Sequence, residues 1–244
     1  MTQSTNRNPP IPGRRGPKPA PKTAHADAPS APPGQFSRPL WLAGILRDRI
    51  MAGVYAPGER VREADLQKEF GFSNGPIREA LQMIVADGLA ERAPWQGVRV
   101  VALDEKQIVE LFQVRLALLE YAAELAARRA SPEAIETAAV IKRNIDEGFS
   151  ATARDHWTFG GRLSQWLLTA AGNERLKQIW DKTMLQTLIY VNASMLRKGA
   201  GSRSRSLIHK LIDAVVAGEV AEARKAARDL TRQTLADLGI DGTI

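Results

Sequence analysis

Apolar positions repeat at helical spacing along most of this chain and switch to strand-like alternation in one short region. Leu42, Leu46 and Ile50, with Ile45 beside them, predict a first helix over Leu40 to Gly53. Leu66 and Phe70 are four apart and face inward together on a second helix, which Gly71 ends. Ser73 is placed to cap a third helix, with Pro76 in its first turn. Ile77, Leu81, Ile84, Val85 and Leu89 form the buried stripe of that helix. Ala90 to Ala93 and Val98 to Val101 then flank Pro94-Trp95-Gln96-Gly97, which reads as strand, turn, strand. Glu59-Arg60-Val61 is a further short strand candidate. This order is that of a winged helix-turn-helix, which lays its second helix in the DNA major groove. An ordinary helical hairpin with a solvated polar face is the plainer alternative.

After residue 101 no strand pattern appears. Asp104 caps a long helix to about Ala130, with Ile108, Leu111, Phe112, Leu118, Leu119, Ala122 and Leu125 on its apolar face. Ser131-Pro132-Glu133 restarts a helix that runs to about Gly148. Further helices are predicted over Thr152–Ala171, Glu174–Leu196, Ser204–Val216 and Val220–Leu238, with a break at Gly199 to Arg203. The expected fold is mainly α: a winged domain of three helices and a two-stranded wing, then an all-α bundle of six or seven helices. The expected boundaries are 1–37 for a tail, 38–103 for the winged domain and 104–244 for the bundle.

Charge changes this picture at the N-terminus. Residues 1–37 are rich in Pro and carry no helical or strand period, so they lack the apolar surface to offset ordering entropy. Residues 1–39 hold six basic side chains against Asp27, which is +5 of the chain's +7. Residues 40–103 hold eight basic and eight acidic residues, a net of zero. A neutral DNA-binding domain must sort its charges by face or borrow them from the tail. The tail either adds salt-sensitive phosphate contacts or serves as a solubilising extension. There is no cysteine, which excludes disulfides and thiolate metal sites. No apolar run is long enough to span a membrane, and the basic N-terminus is not followed by the apolar core of a secretory signal, so a cytoplasmic protein is expected.

The outward face of the third helix carries Asn74, Arg78, Glu79 and Gln82. Asn, Gln and Arg can bond two atoms of a base edge at once. In order and spacing, Ile50, Gly53, Pro57-Gly58, Glu63, Leu66, Gly71, Ser73, Pro76, Arg78-Glu79-Ala80-Leu81, Gly88-Leu89, Gly97 and Val100 resemble the DNA-binding domain of the GntR family of bacterial transcription regulators. Glu110 to Arg115, Leu119-Glu120 and Ala171-Gly172-Asn173 resemble its FadR-like branch, with an all-helical effector-binding and dimerising domain of the FCD type. The resemblance covers nearly everything after residue 40. It implies DNA contacts at Arg62, Ser73, Asn74, Gly75, Arg78, Gln82, Gln96 and Arg99. Two of these depart from the family pattern, which usually has Arg at the positions of Asn74 and Gln96. The branch's common operator is therefore not carried over.

Arg115 lies four residues from both Leu111 and Leu119, inside the apolar face of the long helix. A buried Arg is expensive unless an anion meets it. In the resembling family the matching Arg points into the effector cavity; an internal ion pair is the alternative. Most members of the branch also hold a divalent metal with one Asp and three His. The matching positions here are Gly160, Ser164, Ile208 and Leu230, none of them a good ligand. The chain has three His, and His25 falls in the tail, while His156 and His209 miss the expected positions. No metal or other cofactor is expected, and the cavity formed with Gly160, Ser164, Ile208 and Leu230 should suit a less polar ligand anchored by Arg115.

No nucleophile–base set, phosphate loop or metal-ligand pair is visible, which argues against an enzyme. The expectation is a cytoplasmic homodimeric repressor that binds an inverted-repeat operator in double-stranded DNA and responds to a small organic, acidic effector. A helical ligand-binding or scaffold protein whose winged domain has lost DNA binding is the second reading, and an enzyme the third.

Overall fold

The computed structural model describes residues 37–93, 97–148, 153–195 and 200–240. The chain divides between Asp104 and Glu105 into two compact units.

In the first unit, α1 (Arg38–Met51) starts two residues before the predicted point. Ser37 caps it by accepting from the Leu40 N–H, and Pro39 fits the first turn. It buries Leu42, Ala43, Leu46, Ile50 and Met51 and packs on α3. β1 (Arg60–Val61) is followed by α2 (Glu63–Phe70), which ends at Gly71 with φ +66°. That left-handed residue turns the chain directly into α3 (Asn74–Ala86). Ser73 holds the cap position in extended backbone, but its hydroxyl makes no cap bond. Ile77, Ala80, Leu81 and Ile84 are buried as the period requires, while Val85 is only half-buried, at the edge of the stripe.

β2 (Ala90–Ala93) and β3 (Gly97–Val100) pair antiparallel, Ala90 opposite Val100 and Ala93 opposite Gly97. The sheet is larger than the expected two strands. β1 pairs with the other edge of β3, Arg60 opposite Arg99 and Val61 opposite Val98, giving the order β1-β3-β2. Val61, Val98 and Val100 face the core, so Arg60 and Arg99 lie on the outer face.

The second unit holds six described helices: α4 (Glu105–Arg129), α5 (Pro132–Gly148), α6 (Ala153–Ala171), α7 (Glu174–Met195), α8 (Ala200–Val216) and α9 (Val220–Leu238). α4 touches α6, α7, α8 and α9 and is the central rod. Buried alanines at 122, 123, 126 and 127 face buried Ala223, Ala226 and Ala227, so α4 and α9 approach closely. Leu111 and Leu118, expected on the apolar face, are half-buried at its margin. Glu120 ties the same two helices together by a two-pronged ion pair with Arg228, at 2.8 and 3.0 Å. The Ala171-Gly172-Asn173 signal has a local cause: Gly172 closes α6 at φ +58°, and Asn173 Oδ1 accepts from the Leu176 N–H to open α7.

The predicted break at Gly199 to Arg203 is wrong for 200–203, which belong to α8. Arg203 pairs with Asp237 of α9, and Ser204 is fully buried. These tertiary anchors outweigh the roughly 1 kcal/mol that Gly201 costs a helix. No helix of the described residues is long and apolar enough to cross a membrane.

Candidate nucleic-acid interface and effector site

The helix-turn-helix buries one face of α3 and leaves Ser73, Asn74, Gly75, Arg78 and Gln82 exposed on the other. Arg62 is exposed at the start of α2. The turn brings α2 side chains against this face. Arg78 Nε donates to Glu63 Oε2 at 3.0 Å, which aims the guanidinium and leaves both terminal nitrogens for a base or phosphate. Gln67 Nε2 donates to Asn74 Oδ1 at 2.6 Å. The Asn74 amide N–H groups stay available as donors, but its oxygen already has one partner, so reading adenine with both atoms means sharing it. A side-chain carbon at Gly75 would meet no protein atom within 4 Å, so the start of α3 is open toward a ligand.

At the wing, Arg99 is half-buried between Arg60 and Glu91 on the neighbouring strands. Gln96 lies outside the described residues. Arg60 is exposed, and its guanidinium lies within 4 Å of where a Gly97 side-chain carbon would sit. Sequence reading missed Arg60, Glu63 and Gln67. Arg60 depends on the pairing of β1 with β3, and the other two depend on how the turn folds.

In the second unit Arg115 is buried, 8% exposed, on α4. Its guanidinium carbon stands 3.4 Å from the centre of the Trp180 ring on α7. Among the described residues nothing accepts a hydrogen bond from its Nη1, and no carboxylate pairs with it. Among the described residues Arg115 therefore has no internal ion pair. Burial pulls the group down from its ordinary value to about 9, with Asp181 pulling partly the other way, so it stays charged at neutral pH. Ile208 is buried, and Leu230 half-buried, in the same apolar cluster as Trp180. Ser164 is buried on α6. Gly160 is on α6, but its surroundings lie outside the described side chains. A separate groove of about 330 Å³ lies along α5 and α6, lined by Glu133, Arg162 and Trp166 among others, and contains none of the predicted effector residues.

Two family models match the chain in succession. That of "Bacterial regulatory proteins, gntR family" matches residues 42–100, and that of the FCD domain matches residues 110–233. The chain belongs to the GntR family, in the branch that carries an FCD domain. This GntR-family chain is 32% identical over 102 residues to the uncharacterized regulator YdhC of Bacillus subtilis, a match covering 42% of the chain and 44% of that relative. It therefore spans about half the length of that relative. It is 27% identical over 179 residues to a probable D-xylose utilization operon transcriptional repressor of Paenarthrobacter nicotinovorans, covering 72% of the chain and 78% of the relative. The solved structure of Escherichia coli McbR/YncC superposes with a TM-score of 0.70 at 19% identity, covering 84% of the chain and 98% of that structure, which shows a shared fold.

The metal common in this GntR branch does not fit the donor set here. Ser164, Ile208, Leu230 and Gly160 offer one hydroxyl and no imidazole or carboxylate. His209 Nε2 lies 3.2 Å from Asp146 Oδ1, so it faces α5. His156 and His25 fall outside the described side chains.

Proposed function

We propose that this GntR-family chain is a transcription regulator, acting as a repressor, whose affinity for an operator is set by a small organic acid held at Arg115 without a metal. The observation that carries this reading is a buried, charged Arg115 that no described protein acceptor meets at Nη1. Such a group is costly unless a ligand supplies the anion, and an Arg–carboxylate contact orients that ligand by itself. The repressor assignment is supported by the Paenarthrobacter relative, named as a probable operon repressor. Its two domains are those of regulators, and no enzymatic role is proposed. Effector binding acts on DNA affinity through its different affinity for two arrangements of the protein.

DNA is contacted from Arg62, Ser73, Asn74, Gly75, Arg78, Gln82, Gln96 and Arg99, and Arg60 joins this set at the wing. Arg78→Ala weakens operator binding by about 1–3 kcal/mol if Arg78 reads a base. Anisotropy titration at matched salt measures this, and an unchanged isotherm removes Arg78 from the interface. The protein acts as a homodimer, because a twofold protein matches an inverted repeat. Light scattering is expected to give the dimer mass at micromolar concentration; a monomer with and without DNA contradicts it.

The basic tail lies outside the described residues. Deleting residues 1–36 is expected to flatten the dependence of DNA affinity on salt and to leave the preferred sequence unchanged. A changed preference would make the tail a reader of bases.

A further inference from the structure

Arg115 is not alone in lacking an acceptor. Trp180 is 2% exposed, and its indole Nε1–H also meets no acceptor among the described residues. Several other buried donors of the second unit are served. Trp166 Nε1 donates to the Ala134 carbonyl at 3.0 Å, and the Thr187 and Thr231 hydroxyls donate to carbonyls of their own helices. Buried polar groups in folded proteins nearly always find partners, so two unserved donors in one place need a reason.

The two donors belong to one object. The guanidinium lies 3.4 Å over the indole, so cation and ring form a two-layer stack. Stacking satisfies the face of the guanidinium but none of its N–H groups. Nη1 ends one layer and Nε1 lies in the plane of the other. A carboxylate has two oxygens, one for each of the two N–H groups.

We propose that Arg115 and Trp180 form one anion clamp, and that its ligand is a monocarboxylate taking one N–H from each layer. This rests on the reading of Arg115 as the effector anchor and adds a neutral second donor. Charge selects the class of acid. The stack offers one positive charge, Asp181 stands nearby, and Trp180 shares its cluster with Ile208 and Leu230. A phosphate group carries about −1.5 to −2 charges at neutral pH, more than the one positive charge of the stack can compensate in that setting.

The test is an NMR titration of the ¹⁵N-labelled full chain, read at its five tryptophan indole N–H signals. Trp180→Phe, or the remaining Trp→Phe variants by elimination, assigns the Trp180 signal. The probes are sodium propanoate and inorganic phosphate, with thermal stabilisation followed in parallel. Propanoate is expected to move the Trp180 signal downfield and to stabilise the chain, Arg115→Met to abolish both, and phosphate to produce neither. Trp180→Phe keeps a ring for stacking, loses the N–H, and is expected to bind propanoate roughly ten-fold more weakly. An unmoved Trp180 signal with Arg115-dependent stabilisation intact overturns the clamp and leaves the Arg115 anchor standing. No stabilisation by propanoate overturns both. An equal response to phosphate overturns the monocarboxylate assignment.

Discussion

Replacing Arg115 with Met is expected to raise the thermal stability of the ligand-free chain and to abolish its response to a carboxylate effector. The two effects have one origin. Arg115 is 8% exposed and has no anionic partner in hydrogen-bond contact among the described residues. Its stack on Trp180 contributes about 2 kcal/mol when desolvated, against a desolvation cost of several kcal/mol for a buried ion. Met fills a similar length of the apolar cluster without that cost, so a gain of about 1–3 kcal/mol is expected. The effector loses its only charged anchor at the same time. Melting curves of wild type and Arg115→Met, each with and without propanoate, measure both. A marked loss of ligand-free stability would mean that Arg115 is a structural post.

Leu81→Ala is expected to cost the winged unit about 2–5 kcal/mol, out of a total stability on the order of 5–15 kcal/mol for a domain. Leu81 is 1% exposed on the inner face of α3, which packs against α1. Its loss leaves a cavity beneath the helix that presents Asn74, Arg78 and Gln82. DNA affinity should fall in step with the unfolded fraction of this unit. The response to propanoate should survive, because Arg115 and Trp180 belong to the other compact unit. Gln82→Ala, on the exposed face of the same helix, should change stability by less than about 0.5 kcal/mol. Urea unfolding of the three proteins checks the contrast; equal midpoints would mean that α3 is not held by its inner stripe.

The helix-turn-helix was legible because its determinants are local. Leu66 and Phe70, Gly71, and the Ile77–Leu81–Ile84 spacing fix two helices and the turn between them within one short stretch. The pairing of β1 with β3 was not, since a two-residue strand has almost no pattern of its own and its partner is distant in sequence. Arg60 was missed with it. Spacing placed Arg115 inside the apolar face of α4, but whether a carboxylate met it depended on what α7 brings to that point. Trp180 reads in sequence as an ordinary core aromatic. Its unserved N–H and its place under a guanidinium are products of tertiary structure. The helical start of α8 was misread for a similar reason, because the Arg203–Asp237 pair joins two helices.

The central claim is that this chain recognises a DNA site and releases it when an acid fills the Arg115 site. The most direct measurement is equilibrium binding of the full chain to the DNA upstream of its own gene, with a scrambled duplex as control, at fixed physiological salt and with and without propanoate. Binding at least about 10³-fold tighter to the native duplex, weakened by propanoate in wild type and unaffected by it in Arg115→Met, is the predicted result. Equal affinity for the native and scrambled duplexes, or a propanoate effect that persists in Arg115→Met, would contradict it.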